Sequence, residues 1–180
     1  MALEHAILVS LAEKSASGYE LARRFDASIG HFWQATHQQI YKVLARMESD
    51  KLVESNLIAQ DGKPDKKIYA ITSAGRDELT SWLAKPSPAE ALRSSFAVKL
   101  RAQHLADRDV LLDEVRRRRE AHATQLATYQ ASEARYFPDP SDVPEDMVGA
   151  WLALRGGLRV EQNGIEWCDE ILHTLGGGDQ

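Results

Sequence analysis

Thr36-His37-Gln38-Gln39-Ile40-Tyr41-Lys42-Val43-Leu44-Ala45-Arg46-Met47-Glu48, with Leu52–Ala59 (LVESNLIA) and Lys66–Thr72 (KKIYAIT) behind it, is the stretch on which the fold turns. Thr36 and Gln39 have the spacing of a capping box: the hydroxyl takes the third backbone N–H, and the amide reaches back to the cap's own N–H. Ile40, Val43, Leu44 and Met47 then fall at i, i+3, i+4 and i+7, which predicts an amphipathic helix over 36–48 with one buried stripe. After Asp50 the period changes from helical to extended. The two runs rich in β-formers, joined by Gln60-Asp61-Gly62-Lys63-Pro64-Asp65, predict an antiparallel hairpin over 52–72 with a long tip.

Upstream, Leu3, Ile7, Leu8 and Leu11 make one helical stripe. Ser17 and Glu20 form another capping box, Leu21, Phe25 and Ile29 repeat every four residues, and Gly30 suits a helix stop. Downstream, Thr72 or Ser73 caps a helix holding Leu79, Trp82 and Leu83, which ends before Pro86 and Pro88. Three short helices followed by a hairpin is the order of a winged helix-turn-helix, assigned to residues 1–85. The fold class is mostly α (α+β).

Residues 86–104 read as a connecting segment with a short helix around Phe96 and Leu100, and 105–180 as a helical dimerisation domain. A long helix from Leu105 to Phe137 carries Leu111, Val115, His122, Leu126, Tyr129 and Tyr136. It is closed by Pro138, Pro140 and Pro144. From Met147 to Leu175, Trp151, Leu158, Ile165 and Leu172 are seven apart, and Leu154, Cys168 and Leu175 share a second row that Glu161 interrupts. Interleaved seven-residue rows are a coiled-coil seam pattern. Leu111, Val115, Leu126, Trp151, Leu158, Ile165 and Leu172 are therefore the expected dimerisation residues.

Composition agrees with a folded domain: 43% hydrophobic and 27% charged. The net charge of −5 is uneven. Residues 1–85 carry 11 Lys/Arg and 11 Asp/Glu, and residues 86–180 carry 11 and 16. A neutral first half presents a basic face only if folding sorts its charges. No apolar run is long enough for a membrane span and the N-terminus lacks the features of a signal peptide, so the expected location is cytoplasmic with no membrane partner. The single Cys168 excludes an internal disulfide and the paired-cysteine zinc patterns.

The stretch from His31 through Leu44, with Trp33 in it, resembles the recognition-helix signature of the PadR family of bacterial regulators, and within it the virulence-gene activator branch. Gly18-Tyr19-Glu20-Leu21, Met47-Glu48-Ser49-Asp50-Lys51-Leu52-Val53, Ile68-Tyr69-Ala70-Ile71-Thr72, Gly75 and Trp82-Leu83 continue the likeness. It covers the first half by motif and the second by architecture. The resemblance implies a winged-helix dimer whose long C-terminal helices exchange packing between subunits. Where the family commonly has Gly after the acidic residue that follows the recognition helix, this chain has Asp50-Lys51, so a differently shaped turn is expected there.

The function expected is sequence-specific binding of double-stranded DNA by a homodimer on a (pseudo)palindromic operator. With Ile40, Val43, Leu44 and Met47 buried, the helical step puts Gln38, Lys42, Ala45 and Ser49 on the opposite face, flanked by Tyr41 and Arg46. Gln pairs with adenine, Lys with guanine or phosphate, and a Tyr hydroxyl with phosphate. Thr36, His37, Gln38 and Gln39 sit in the first turn, whose backbone N–H groups suit a phosphate. Lys63, Lys66 and Lys67 place charge on the wing. The alternative is a winged-helix protein-interaction module, or an effector-binding sensor with no direct DNA role.

Other features have plainer readings. Arg116 to Arg119 spread around a helix and read as solvated ion pairs with Asp113, Glu114 and Glu120. Cys168 reads as packing, with a redox-sensing thiol as the alternative. Gly156-Gly157 read as close helix contact. No cofactor, metal pattern or catalytic motif is found, so an enzyme is not expected. Trp33, Trp151 and Phe96 could line a pocket between the domains for a small aromatic or fatty effector, as the resemblance implies for some relatives.

Overall fold

The computed structural model of the chain describes residues 2–27, 35–60, 63–87 and 94–176. Ile29, Gly30, the stretch from His31 to Gln34, Asp61-Gly62, Pro88 and the Gly177-Gly178 tail lie outside the described residues. The chain divides into two compact units, Met1–Ala89 and Glu90–Gln180.

The first unit runs α1 (Ala2–Glu13), β1 (Ala16–Ser17), α2 (Gly18–Ala27), α3 (His37–Ser49), β2 (Val53–Gln60), β3 (Lys63–Ile71) and α4 (Ser73–Leu83). The sheet is antiparallel in the order β1-β3-β2, so the hairpin's second strand is central. Ile7, Leu8 and Leu11 of α1, Leu21 and Phe25 of α2 and Ile40, Leu44 and Met47 of α3 fill one core, with Val43 and Leu3 packed at its margin. The helical stripes read from spacing are thus the surfaces that meet. On α4 only part of the expected stripe is enclosed: Leu79 is buried, Leu83 is exposed, and Trp82 stacks on buried His5 with ring centroids 4.5 Å apart.

The hairpin departs from its expected form at the tip. Strand β3 begins at Lys63, so Pro64 and Asp65 are strand residues, and Gln60 pairs with Lys63. An irregularity between Ile58 and Gln60 accommodates the proline, which has no N–H to give a ladder.

The α3–β2 turn also differs from expectation. Leu52 N donates to Met47 O at 2.9 Å and Lys51 N to Glu48 O at 3.1 Å, the paired bonds of a Schellman turn. Lys51 occupies the left-handed position with φ 58°. The turn keeps the ordinary shape because the backbone bonds dictate it, and the lysine bears the strain that a glycine would avoid. Thr72 locks the next junction. Its hydroxyl accepts from Gly75 N at 3.0 Å and donates to Lys51 O at 2.7 Å, and a Cβ on Gly75 would lie 2.1 Å from Leu52 O.

The second unit contains α5 (Ser95–Arg101), α6 (Arg108–Tyr136) and α7 (Val148–Gly176). Helix α6 starts later than Leu105 because Asp107 caps it, accepting from Asp109 N and Val110 N, and 103–105 form a separate 3-10 turn. Helices α6 and α7 make a long antiparallel hairpin. At one end Phe96, Leu111, Val115, Cys168 and Ile171 form a core; at the other, Tyr129, Phe137 and Leu154 form a second, with Trp151 and Leu158 against it. Leu126, Trp151, Leu158, Ile165 and Leu172 are half-buried, whereas Leu111 and Val115 are enclosed within the chain's own core. Phe96 and Trp151 therefore sit in different clusters of one unit, and Trp33 lies outside the described residues.

Among the described residues three of the four arginines are ion-paired, two of them within α6 as the spacing suggested, and Glu120 pairs with none of them. Arg116 meets Asp113 at 2.6 Å and Arg118 meets Glu114 at 3.5 Å, but Arg119 crosses to Asp169 of α7 at 2.5 Å. Arg118 also lies over the Phe96 ring, 4.1 Å from its centroid. Burial pushes the Cys168 thiol up, which disfavours the reactive thiolate. Of the paired glycines, Gly157 makes the close contact, since a Cβ there would lie 2.9 Å from the Tyr129 ring; Gly156 faces open space.

Candidate nucleic-acid interface

Helix α3 begins at the capping box its sequence encodes. Gln39 N donates to Thr36 Oγ1 at 3.3 Å and Thr36 N donates to Gln39 Oε1 at 2.9 Å. The Gln39 side chain is thereby committed to the cap, which removes it from the groups available to a ligand. With Ile40, Leu44 and Met47 fully buried, Gln38, Lys42, Ala45 and Ser49 form a continuous exposed stripe, and Tyr41 and Arg46 flank it, also exposed. His37 is exposed in the first turn.

Tyr41 is placed by a neighbour rather than by its own helix. Its ring lies over the start of α2, where a Cβ on Gly18 would come within 2.3 Å of Cε1. Gly18 thus holds the space that lets the ring lie flat while nearly half the residue stays exposed. Tyr19, next to it, is also exposed.

Most of the expected basic groups are engaged within the unit. Arg46 meets Glu4 of α1 at 2.8 Å, Lys66 meets Glu20 of α2 at 2.8 Å, and Lys67 meets Glu48 of α3 at 2.7 Å. Lys67 also lies 5.1 Å from the centroid of the Tyr69 ring. Lys42 has no ion-pair partner among the described residues. Of Lys63 only the backbone, in β3, is described. The bonds from Lys66 and from Ser17 hold the Glu20 carboxyl at about 2, far below its ordinary range. Those from Lys67 and Ser55 lower Glu48, and Glu48 in turn raises Lys67.

Sequence reasoning assigned Glu4 no role, and it gave Gly18, Glu20 and Glu48 a part only in the α2 capping box or the family likeness. No local signal marks such pairs: their members are 19 to 46 residues apart, and their meeting depends on how the hairpin lies against the helices.

Residues 7–81 match the transcriptional regulator PadR-like family, and residues 92–176 match the virulence activator alpha C-terminal family. A probable transcriptional regulator of Mycobacterium tuberculosis is 47% identical, over 97% of this chain and 98% of that protein. The Bacillus subtilis PadR structure in complex with operator DNA superposes with a TM-score of 0.84 at 27% identity, covering 97% of this chain and 99% of that one. The same regulator, crystallised with p-coumaric acid, gives 0.76 at 25% identity, covering 96% and 94%. The Vibrio cholerae virulence activator AphA gives 0.82 at 33% identity, covering 98% and 99%. The chain, a winged-helix DNA-binding regulator and not an enzyme, belongs to the PadR-like family of transcriptional regulators, in the branch that includes AphA.

Proposed function

We propose that the protein acts as a homodimer on a (pseudo)palindromic operator, with α3 in the major groove and the β2–β3 wing beside the adjacent backbone or minor groove. The observation that carries this reading is the exposed stripe of Gln38, Lys42, Ala45 and Ser49, backed by a fully buried Ile40, Leu44 and Met47. A helix so divided can dock one face while the other stays in the core. Gln38 and Lys42 then face base edges, and Tyr41 and Arg46 face phosphates. His37 lies at the groove entrance, and Thr36 and Gln39 serve by holding the first turn in shape. Lys63, Lys66 and Lys67 supply the wing contacts, and the 1–85 module is the DNA-binding part.

Dimerisation falls to residues 105–180 of the second unit. Leu152, Val160 and Trp167 of α7 are exposed along one face of the helix, an apolar stripe left over after α6 is covered. The half-buried Leu126, Trp151, Leu158, Ile165 and Leu172 supply the rest of the seam, the α7 members on the other side of that helix from the stripe, and Leu111 and Val115 support it from within. A small aromatic acid is the effector class to test first, because B. subtilis PadR has been crystallised with p-coumaric acid. Among the described residues no helix is long and apolar enough to cross a membrane.

The test is binding of a duplex covering the region upstream of the protein's own gene, titrated over salt concentration. Several Lys/Arg–phosphate contacts make affinity fall steeply with ionic strength. Tight binding with a steep slope supports the reading; no binding at low salt overturns it in favour of a protein-interaction module.

A further inference from the structure

Three of the five cations assigned to the DNA-facing side, Arg46, Lys66 and Lys67, are already occupied by carboxylates of the helix-turn-helix. The two wing pairs share one construction. Glu20 uses Oε2 to accept from Ser17 N at 2.8 Å and Ser17 Oγ at 2.9 Å, leaving Oε1 for Lys66. Glu48 uses Oε1 to accept from Ser55 Oγ, leaving Oε2 for Lys67. Each carboxylate is therefore fixed by a hydroxyl on one oxygen and offers the other to a wing ammonium. It stays in place whether or not the lysine does. Both pairs are open to solvent, with lysine side chains 35% and 42% exposed, so a phosphate can compete for them.

We propose that Glu20 and Glu48 are specificity-determining residues that act as built-in phosphate substitutes, restraining sequence-independent binding of DNA by the wing. A wing lysine that moves to a DNA phosphate exchanges one anionic oxygen for another of similar geometry. It also leaves behind a carboxylate that must recruit a cation from solution, which cancels the counterion released from the DNA. Backbone contact alone thus yields little. Binding strengthens only where α3 also finds base contacts, and this keeps the protein from settling on arbitrary sequence. The inference rests on the reading that the wing approaches DNA.

Glu20→Gln with Glu48→Gln tests it, because glutamine preserves the capping box at α2 and the Ser55 bond while removing the charge. The probe is a short random-sequence duplex, so no operator need be known. The double variant is expected to bind it about fivefold more tightly, with a salt slope steeper by about 0.9 for each freed lysine. The same substitutions placed on Lys66→Ala/Lys67→Ala are expected to have little effect. Unchanged affinity and slope overturn the proposal. So does weaker binding, which would make the carboxylates braces for the wing, and so does an equal gain without the lysines, which would be charge repulsion at a distance. In the Glu20→Gln/Glu48→Gln background, where both lysines are free, Lys66→Ala/Lys67→Ala should weaken binding and flatten the slope; if it changes neither, the wing reading itself fails, whereas a loss there with no gain from the glutamines over the wild type sinks only this inference.

Discussion

His122 Nδ1 of α6 lies 2.6 Å from Glu161 Oε2 of α7, across the seam of the helical hairpin. Glu161 is the residue that breaks an otherwise apolar row, and it is half-buried with the imidazole as its partner. Gly164, one turn on, completes the arrangement: a Cβ there would fall 2.7 Å from the ring atoms of His122. The glycine is what lets the ring enter the seam.

Gly164→Ala should therefore destabilise the protein by about 1–3 kcal/mol, the usual cost of overpacking. With His122→Ala in place, the sign should reverse, because alanine favours a helix interior by about 0.5–1 kcal/mol over glycine. Denaturant unfolding followed by tryptophan fluorescence gives both numbers. A loss of equal size in both backgrounds would mean that His122 is not what the new methyl group meets.

Lys51→Gly should stabilise the first unit. Left-handed geometry costs an L-residue about 1–2 kcal/mol, and the glycine gives back about 0.5–1 kcal/mol through its freer unfolded chain. A net gain of up to about 1 kcal/mol is expected in the midpoint of chemical unfolding. A net loss would show that the lysine stem or its charge at the end of α3 contributes more than the strain removes.

Acid should loosen the contact between wing and helices. Both Glu20 and Glu48 titrate below the ordinary carboxylate value of 4.5, Glu20 at about 2. Their contribution is complete above about 4.5 and disappears as pH falls through the lowered values. Both groups face solvent, so each is worth less than about 1 kcal/mol. The wild type should lose more stability over that interval than the Glu20→Gln/Glu48→Gln variant. Parallel curves would indicate that the pairs do not persist in solution.

Charge on the exposed stripe of α7 should separate subunits without unfolding them. Leu152→Glu and Val160→Glu are expected to convert a dimer to a monomer by light scattering at micromolar concentration, with the helical circular dichroism retained. A wild-type chain that is already monomeric would contradict the dimer reading outright.

Base reading is tested by a pair of substitutions on α3. Gln38→Ala should lower discrimination between operator and random DNA by about 1–3 kcal/mol if its contact is bidentate. Tyr41→Phe should weaken both kinds of DNA together. An unchanged ratio in Gln38→Ala would place the helix differently in the groove.

What could be read from the sequence was what neighbours within four residues decide. Both capping boxes, Ser17 with Glu20 and Thr36 with Gln39, are present because their partners are three residues apart. The stripe of Ile40, Leu44 and Met47 follows from helical period alone. Lys66 with Glu20, Lys67 with Glu48 and His122 with Glu161 were not legible. Each joins elements whose relative placement is set by packing, and Glu161 looked like a defect in its row until the facing imidazole was known. The turn at Lys51 misled for the opposite reason: residue type suggested a new shape, but the backbone bonds of the turn outweighed it.

Strand β3 is hydrogen-bonded on both sides only where β1 reaches it, at Tyr69 with Ala16 and Ile68 with Ser17. Towards Lys63 it has β2 alone. The hairpin is thus a cantilever, held by three strands at its root and by two beyond it. The first ties back to the helices are the ion pairs of Lys66 with Glu20 and Lys67 with Glu48, so a deflection that reaches 66–67 is felt by α2 and α3. A larger load reaches the clamp, and there it pulls on Ser17, the same residue that caps α2. Beyond the ion pairs the two strands lean on each other alone, and the root bends only together with the helix behind it.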